Sequence, residues 1–207
     1  MKRKIFNKKT LLAGLAGLIV GVIALLGIRF ATYSAPKQPH YHANFAVYIN
    51  GEREQFKGFG YYEETAGERC TLHPVDSPKE RAHMHDKVND VVHVEDNLVT
   101  WGNFMQNLGW GLGDDYLKTA DGMLINDANG SLHFILNGKP VKSVYDTIIG
   151  DKDKLLISYG TENNSDLQAQ YKTIASTANK YDTSKDPASC GAGHTDVTTS
   201  ERLKHLF

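Results

Sequence analysis

The sequence predicts one α+β domain behind an N-terminal transmembrane helix, and three observations carry that expectation. An uncharged run opens the chain, apolar strands punctuated by Asn-Gly turns fill its middle, and two stretches of helical apolar spacing interrupt and close the strand series. At 207 residues there is room for one domain with attachments, and too little for two of ordinary size.

The opening run is Leu11 to Ile28, LLAGLAGLIVGVIALLGI, eighteen residues without a charge. At about 1.5 Å per residue a helix of this length approaches the hydrocarbon thickness of a bilayer. The basic flank MKRKIFNKK predicts a single-pass topology with a cytoplasmic N-terminus and everything past Arg29 outside the cytoplasm. A cleaved signal peptide is the rival reading, with Thr32 and Ser34 as small residues before Ala35, although signal cores are usually shorter. Both readings export the domain. Ala13, Gly17 and Gly21 place small residues on one helix face, a pattern that permits helix pairing.

The net charge of -1 conceals an asymmetry. Lys2, Arg3, Lys4, Lys8, Lys9 and Arg29 lie in the first thirty residues without an acid, which leaves 17 of the 23 basic residues against all 24 acidic ones. An acidic remainder excludes nucleic acid as a partner and suits a surface that attracts cations. The two cysteines, Cys70 and Cys190, predict one disulfide in an oxidising compartment; the alternative is a pair of free thiols. Closing so long a loop is worth about 4 kcal/mol in the chain-entropy model. Their spacing is not that of a CxxC redox motif, which counts against a thioredoxin-like enzyme.

Residues 1–30 are thus read as basic flank and anchor and 31–39 as a linker kept extended by Pro36 and Pro39. Residues 40–160 form a histidine-rich domain, 161–185 a terminal helix and 186–207 a flexible tail. Within the domain, Ala43, Phe45, Val47 and Ile49 alternate along one strand, and Asn50-Gly51 turns it into a hairpin. Residues 58 to 82, rich in Gly, Pro and charge, predict a loop or insertion. VVHVE, from Val91 to Glu95, is a strand, and Thr100 caps a short helix bearing Trp101, Phe104, Met105 and Leu108 and stopped by Gly109. Gly111 to Asp121 reads as loop; Trp101, Phe104 and Trp110 look like core, whereas Trp110 and Tyr116, if exposed on that loop, would mark a binding surface. SLHFILNGKPV and KLLISY supply a strand, an Asn137-Gly138 turn and a closing strand. Leu167, Tyr171, Ile174, Ala178 and Tyr181 then follow helical spacing. The order hairpin, strand, helix, strand-turn, strand is similar to a β-grasp core. The stretch from His133 to Tyr159 resembles the end of ubiquitin-like folds, which implies an architecture and no conjugating function.

Five of the nine histidines fall in three clusters: His40 and His42 in HYH, His83 and His85 in HMH, and His93 in VHVE. Residues two apart on a strand share a face, so each HxH presents a pair of imidazoles and His93 pairs with Glu95. Asp86 adds an adjacent carboxylate. Imidazole with carboxylate is a donor set for copper, zinc, nickel or iron, so His42, His83, His85 and His93 are candidate metal ligands, with His40, Asp86 and Glu95 as further ligands or their supports. A structural cluster of hydrogen-bonded histidines is the competing explanation. The hairpin strand and the VVHVE strand are expected as neighbours, with HMH at the mouth between them. Met84, between two histidines, points away from them on a strand, and Met105 fits a buried helix face. His73, His133, His194 and His205 are expected to stand apart.

The ordered motifs HxHA…VYINGE, HMHD…VVHVE…VTWGNFMQNLGW and FILNGKPV…KDKLLISYG resemble an uncharacterised family of exported, membrane-anchored proteins of candidate-phylum bacteria and small-genome archaea, over residues 40 to 160. The resemblance implies an extracytoplasmic domain built around these histidines and no particular activity. Some relatives carry a second histidine where this chain has Glu95, which implies one nitrogen donor fewer here.

No HExxH, GxSxG or Cys-His dyad is present, so no enzyme class is indicated. The expected role is transition-metal capture, storage or sensing at the cell surface, with copper or zinc as cofactor and the membrane as the second partner. A surface interaction module with an envelope protein partner is the alternative. A metal-dependent enzyme, with Glu95 or Asp86 as acid or base, is the third reading.

Overall fold

A computed structural model describes residues 7–34, 39–62, 78–85, 87–182 and 197–206. The chain forms two compact units, one of Met1–Pro36 with Thr195–Phe207 and one of Lys37–His194. Cys70, Cys190, His73, His194 and Asp86 lie outside the described residues, and the expected disulfide with them.

Helix α1 (Lys8–Thr32) begins at Asn7, whose side chain accepts from the Lys9 amide, and none of its residues is buried. It is long and apolar enough to cross a membrane, a test that a signal sequence also passes.

The second unit opens with β1 (Tyr41–Ile49), which returns through Asn50 and Gly51 into the short β2 (Glu52–Arg53). Both turn residues have positive φ, 51° and 82°, the geometry that makes Asn-Gly the favoured two-residue hairpin turn. A 3-10 turn (Phe59–Tyr61), helix α2 (Pro78–Arg81) and strand β3 (Ala82–His83) follow, then β4 (Val91–Val94). Ala82, expected at the end of a loop or insertion, pairs with β4 together with His83, whose motif the pattern places on a strand.

Helix α3 (Trp101–Asn107) carries the expected cap: the Thr100 hydroxyl accepts from the Asn103 amide and the Asn103 carboxamide accepts from the Thr100 amide, each at 3.1 Å. Gly109, at φ 81°, ends it. Residues 111–121, expected as loop, form instead β5 (Gly111–Leu112) and β6 (Tyr116–Lys118), which continue into β7 (Met123–Ile125) as a meander. Strands of two or three residues are too short to display a period. Trp110 is buried, as its reading as core expects, and packs on Phe56 at 5.3 Å between ring centroids.

Strands β8 (Ser131–Leu136), β9 (Lys139–Val141) and β10 (Lys154–Gly160) lie where the pattern put them. Helix α4 (Asn164–Thr173) is shorter than the predicted helix of 161–185. It breaks at Ile174, which is extended (φ -68°, ψ 126°), and resumes only as a 3-10 turn over Ala178–Lys180. The Thr173 hydroxyl bonds back to the Gln170 carbonyl, and Asn44 takes the amides of Thr177 and Ala178, so the chain turns away from the helix axis. In the first unit the tail contributes helix α5 (Thr199–Lys204), whose Arg202 donates to the carbonyls of Phe30 and Ala31 at 2.7 and 3.2 Å.

Among the described residues the main sheet has the order β3-β4-β1-β10-β8-β9, with β2 on the end of β1. Strands β1 and β10 are parallel at its centre and the other pairs antiparallel. Strand β1 is buried on both sides. Ala43, Phe45 and Val47 join Val92, Val94, Trp101, Phe104 and Met105 in the larger apolar core. Ala46 and Tyr48 join Ile135, Leu156, Leu167 and Ile174 in a smaller one under α4. The second face of β1 also carries His42 and Asn44, and it positions the site.

Candidate metal centre

Two pairing registers assemble the histidines. His42 of β1 stands opposite His93 of β4, and His83 of β3 stands opposite the same His93. Directly opposed residues project on one side of a sheet, so His83, His93 and His42 form a row across three strands. Strand β4 is therefore the middle strand, where the sequence reading had set HMH between the other two. His40 lies just before β1 and His85 just after β3, each two residues from its partner in the motif. His42, His83, His85, His93 and Glu95 are all buried.

The nitrogens converge. His42 Nε2 lies 2.7 Å and His85 Nε2 2.9 Å from the same atom, Nδ1 of His93. A neutral imidazole nitrogen holds either one proton or one lone pair, so a single Nδ1 meets one such neighbour well and two poorly. A tetrahedral ion with metal–nitrogen bonds of about 2.0–2.1 Å holds its ligand nitrogens about 3.3 Å apart. Each of these two nitrogen pairs would have to open by about 0.4–0.6 Å to accept an ion between them. Ligand atoms of His40, His42 and His93 also lie within 4.8 Å of one another, a buried cluster that could hold a metal ion. His42 and His93 belong to both groupings and form the core of the site. His83 lies parallel to His93 at 5.8 Å between centroids, and His40 Nε2 is 3.4 Å from Glu95 Oε1.

Burial pushes the His93 pKa far below that of an ordinary imidazole, and the facing rings of His85, His42, His83 and His40 push it further. His93 is accordingly neutral, the state in which imidazole donates a lone pair to a metal.

A residue that the sequence reading missed completes the arrangement. Asp182 Oδ1 lies 2.7 Å from His42 Nδ1. A carboxylate only accepts, so Nδ1 carries the proton, which in the neutral ring leaves the lone pair on Nε2, the nitrogen that faces His93. The other Asp182 oxygen lies 3.4 Å from Lys152 Nζ, and the Lys152 amide donates to the His42 carbonyl at 2.7 Å. The Tyr181 ring packs at 5.8 Å from both His42 and His93. The one clue in the sequence was that the apolar stripe of the terminal segment ends at Tyr181.

No family model, curated protein or solved structure matches the chain. A functional reading therefore stands on the donor set. Met84 and Met105 are fully buried in the larger apolar core, as expected of the one between two histidines and the one on a helix face. Among the described residues, then, the donors gathered at His93 are imidazole nitrogens, with the Glu95 carboxylate beside His40. His133 sits on β8, two strands from β1, and His205 stacks on Tyr33 in the other unit.

Proposed function

We propose that this chain is a membrane-anchored, extracytoplasmic protein that binds a transition metal ion through His42, His85 and His93. His40 or His83 completes the shell, and Glu95 and Asp86 serve as further oxygen donors. The observation that carries this reading is the convergence of two imidazole nitrogens on His93 Nδ1 among buried side chains. Nitrogen donors backed by carboxylate suit Zn(II) or Cu(II); the thioethers of Met84 and Met105, which would favour Cu(I), are tied up in the apolar core. Capture, storage or sensing of the ion at the cell surface follows from a buried site on an exported domain.

The basic flank of α1 supports the outward topology. The strand order β4-β1-β10-β8-β9, with a parallel central pair and α3 crossing between β4 and β8, supports a β-grasp architecture. The ordered histidine motifs support kinship with the exported family that residues 40 to 160 resemble.

The test is zinc and copper titration of the full chain in detergent, without a histidine tag, alongside His42→Ala and His93→Ala. Saturable binding by the parent chain, lost in both variants while their near-ultraviolet circular dichroism is retained, is the expected result. Equal uptake by parent and variants would refute the assignment.

A further inference from the structure

We infer that Asp182 is a positioning residue of the metal centre, and that the segment from Thr177 to Asp182 is a clasp whose docking governs how fast the ion leaves. This rests on the metal-binding reading above and adds to it a route by which the site is regulated.

The clasp is held by the same strand that supplies His42. Asn44, two residues along β1 and on the same face, is buried and spends its carboxamide on this segment: Oδ1 accepts from the amides of Thr177 and Ala178 at 3.0 and 2.9 Å, and Nδ2 donates to Thr177 Oγ1 at 3.0 Å. The remaining Nδ2 proton goes to the Asp90 carbonyl at 3.1 Å, at the entry to β4. The 3-10 turn of Ala178–Lys180 then carries Tyr181 onto the rings of His42 and His93 and Asp182 onto His42 Nδ1. One strand thus grips the segment at two points, and the second grip is a metal-ligand imidazole.

Two consequences follow from the chemistry. A carboxylate on the far nitrogen of a ligand imidazole fixes its tautomer and ring orientation and strengthens its basicity, and loss of such a partner typically weakens metal affinity 10–100-fold. The segment also has no strand partner and is held by side-chain hydrogen bonds, so it can open while the sheet stays folded. Opening removes the Tyr181 cover and the Asp182 support in one movement. Ion release and clasp release are then one process.

The experiment uses the full chain in detergent, loaded with cobalt(II), whose ligand-field spectrum reports the coordination shell, and measures release into excess chelator. The variants are Asp182→Ala, Asp182→Asn and Asn44→Ala. Asp182→Ala is expected to speed release 10–100-fold. Asp182→Asn, which keeps an acceptor oxygen for Nδ1–H, is expected to recover most of that loss. Asn44→Ala, which removes none of the proposed ligands, is expected to speed release while the spectrum at saturation still reports the same nitrogen donors. Parent-like release in both Asp182→Ala and Asn44→Ala, from a parent that does bind cobalt, would overturn the clasp and leave the metal site standing. A parent that takes up no cobalt would overturn the metal reading itself, and the clasp with it.

Discussion

The two faces of β1 carry opposite chemistry from alternate positions of one nine-residue strand. Ala43, Phe45 and Val47 enter a continuous apolar core in which Phe45 meets Phe104 edge to face at 4.9 Å between centroids. His42, Asn44 and Tyr48 face the terminal segment, where each buried polar group reaches a specific partner: Asp182, Thr177 with Ala178, and Thr173. The apolar face draws on volume and burial, which are non-directional. The polar face draws on directed bonds, whose loss leaves a buried group unsatisfied. A ligand set is most sharply placed when its backbone is held from behind by packing, and β1 provides that arrangement with its strand period of two.

Disrupting the apolar face should have the largest effect. Phe45→Ala is expected to lower global stability by about 3–5 kcal/mol, read as an unfolding midpoint in urea that falls equally with and without metal. A midpoint close to that of the parent would mean that the face is not the foundation described here. The polar face answers to metal instead. Zinc at a hundred times its dissociation constant should stabilise the parent by about 2.7 kcal/mol, a response that chelator reverses and that His93→Ala lacks altogether. A variant that kept the response would detach His93 from the site.

Acid should also separate the faces, because only the histidine face titrates. The folded His93 pKa lies below the ordinary value of 6.5, so beneath pH 6.5 the unfolded chain binds a proton that the folded chain refuses. The sign is that stability of the metal-free protein holds above about pH 6.5 and falls as pH drops through the region beneath it. One such proton corresponds to about 1.4 kcal/mol per pH unit. Unfolding midpoints at pH 7.5 and 5.5 check this, and equal midpoints would contradict it. The smallest effect belongs to Thr100→Ala, which removes the α3 cap on the apolar side. It should cost about 1 kcal/mol and leave metal affinity unchanged in a calorimetric titration.

What the sequence disclosed was what local pattern determines. The long apolar N-terminal helix, the Asn50-Gly51 and Asn137-Gly138 turns, the capped helix after Thr100 and the strands at 131–136 and 154–160 each follow from a period or a turn residue within a few positions. The histidine pairs were legible for the same reason, since HxH on a strand is a local statement. Their convergence depends on β4 lying between β1 and β3, which no local pattern specifies. Asp182 was invisible because it meets His42 across 140 positions. The helix of 161–185 was over-read because its apolar stripe continues past Ile174, while Asn44 draws the amides of Thr177 and Ala178 away from the helix. The meander from Gly111 to Ile125 was missed because its strands span two or three residues each.

The most direct test of the central claim is metal content and X-ray absorption on the untagged full chain, purified from membranes without chelator. A near-stoichiometric ion, zinc or copper, in a nitrogen and oxygen shell with the multiple scattering of several imidazoles and no sulfur is the result expected. A protein that stays metal-free when zinc and copper are supplied, or that holds an ion through sulfur, would contradict the account and return the histidine row to a purely structural role.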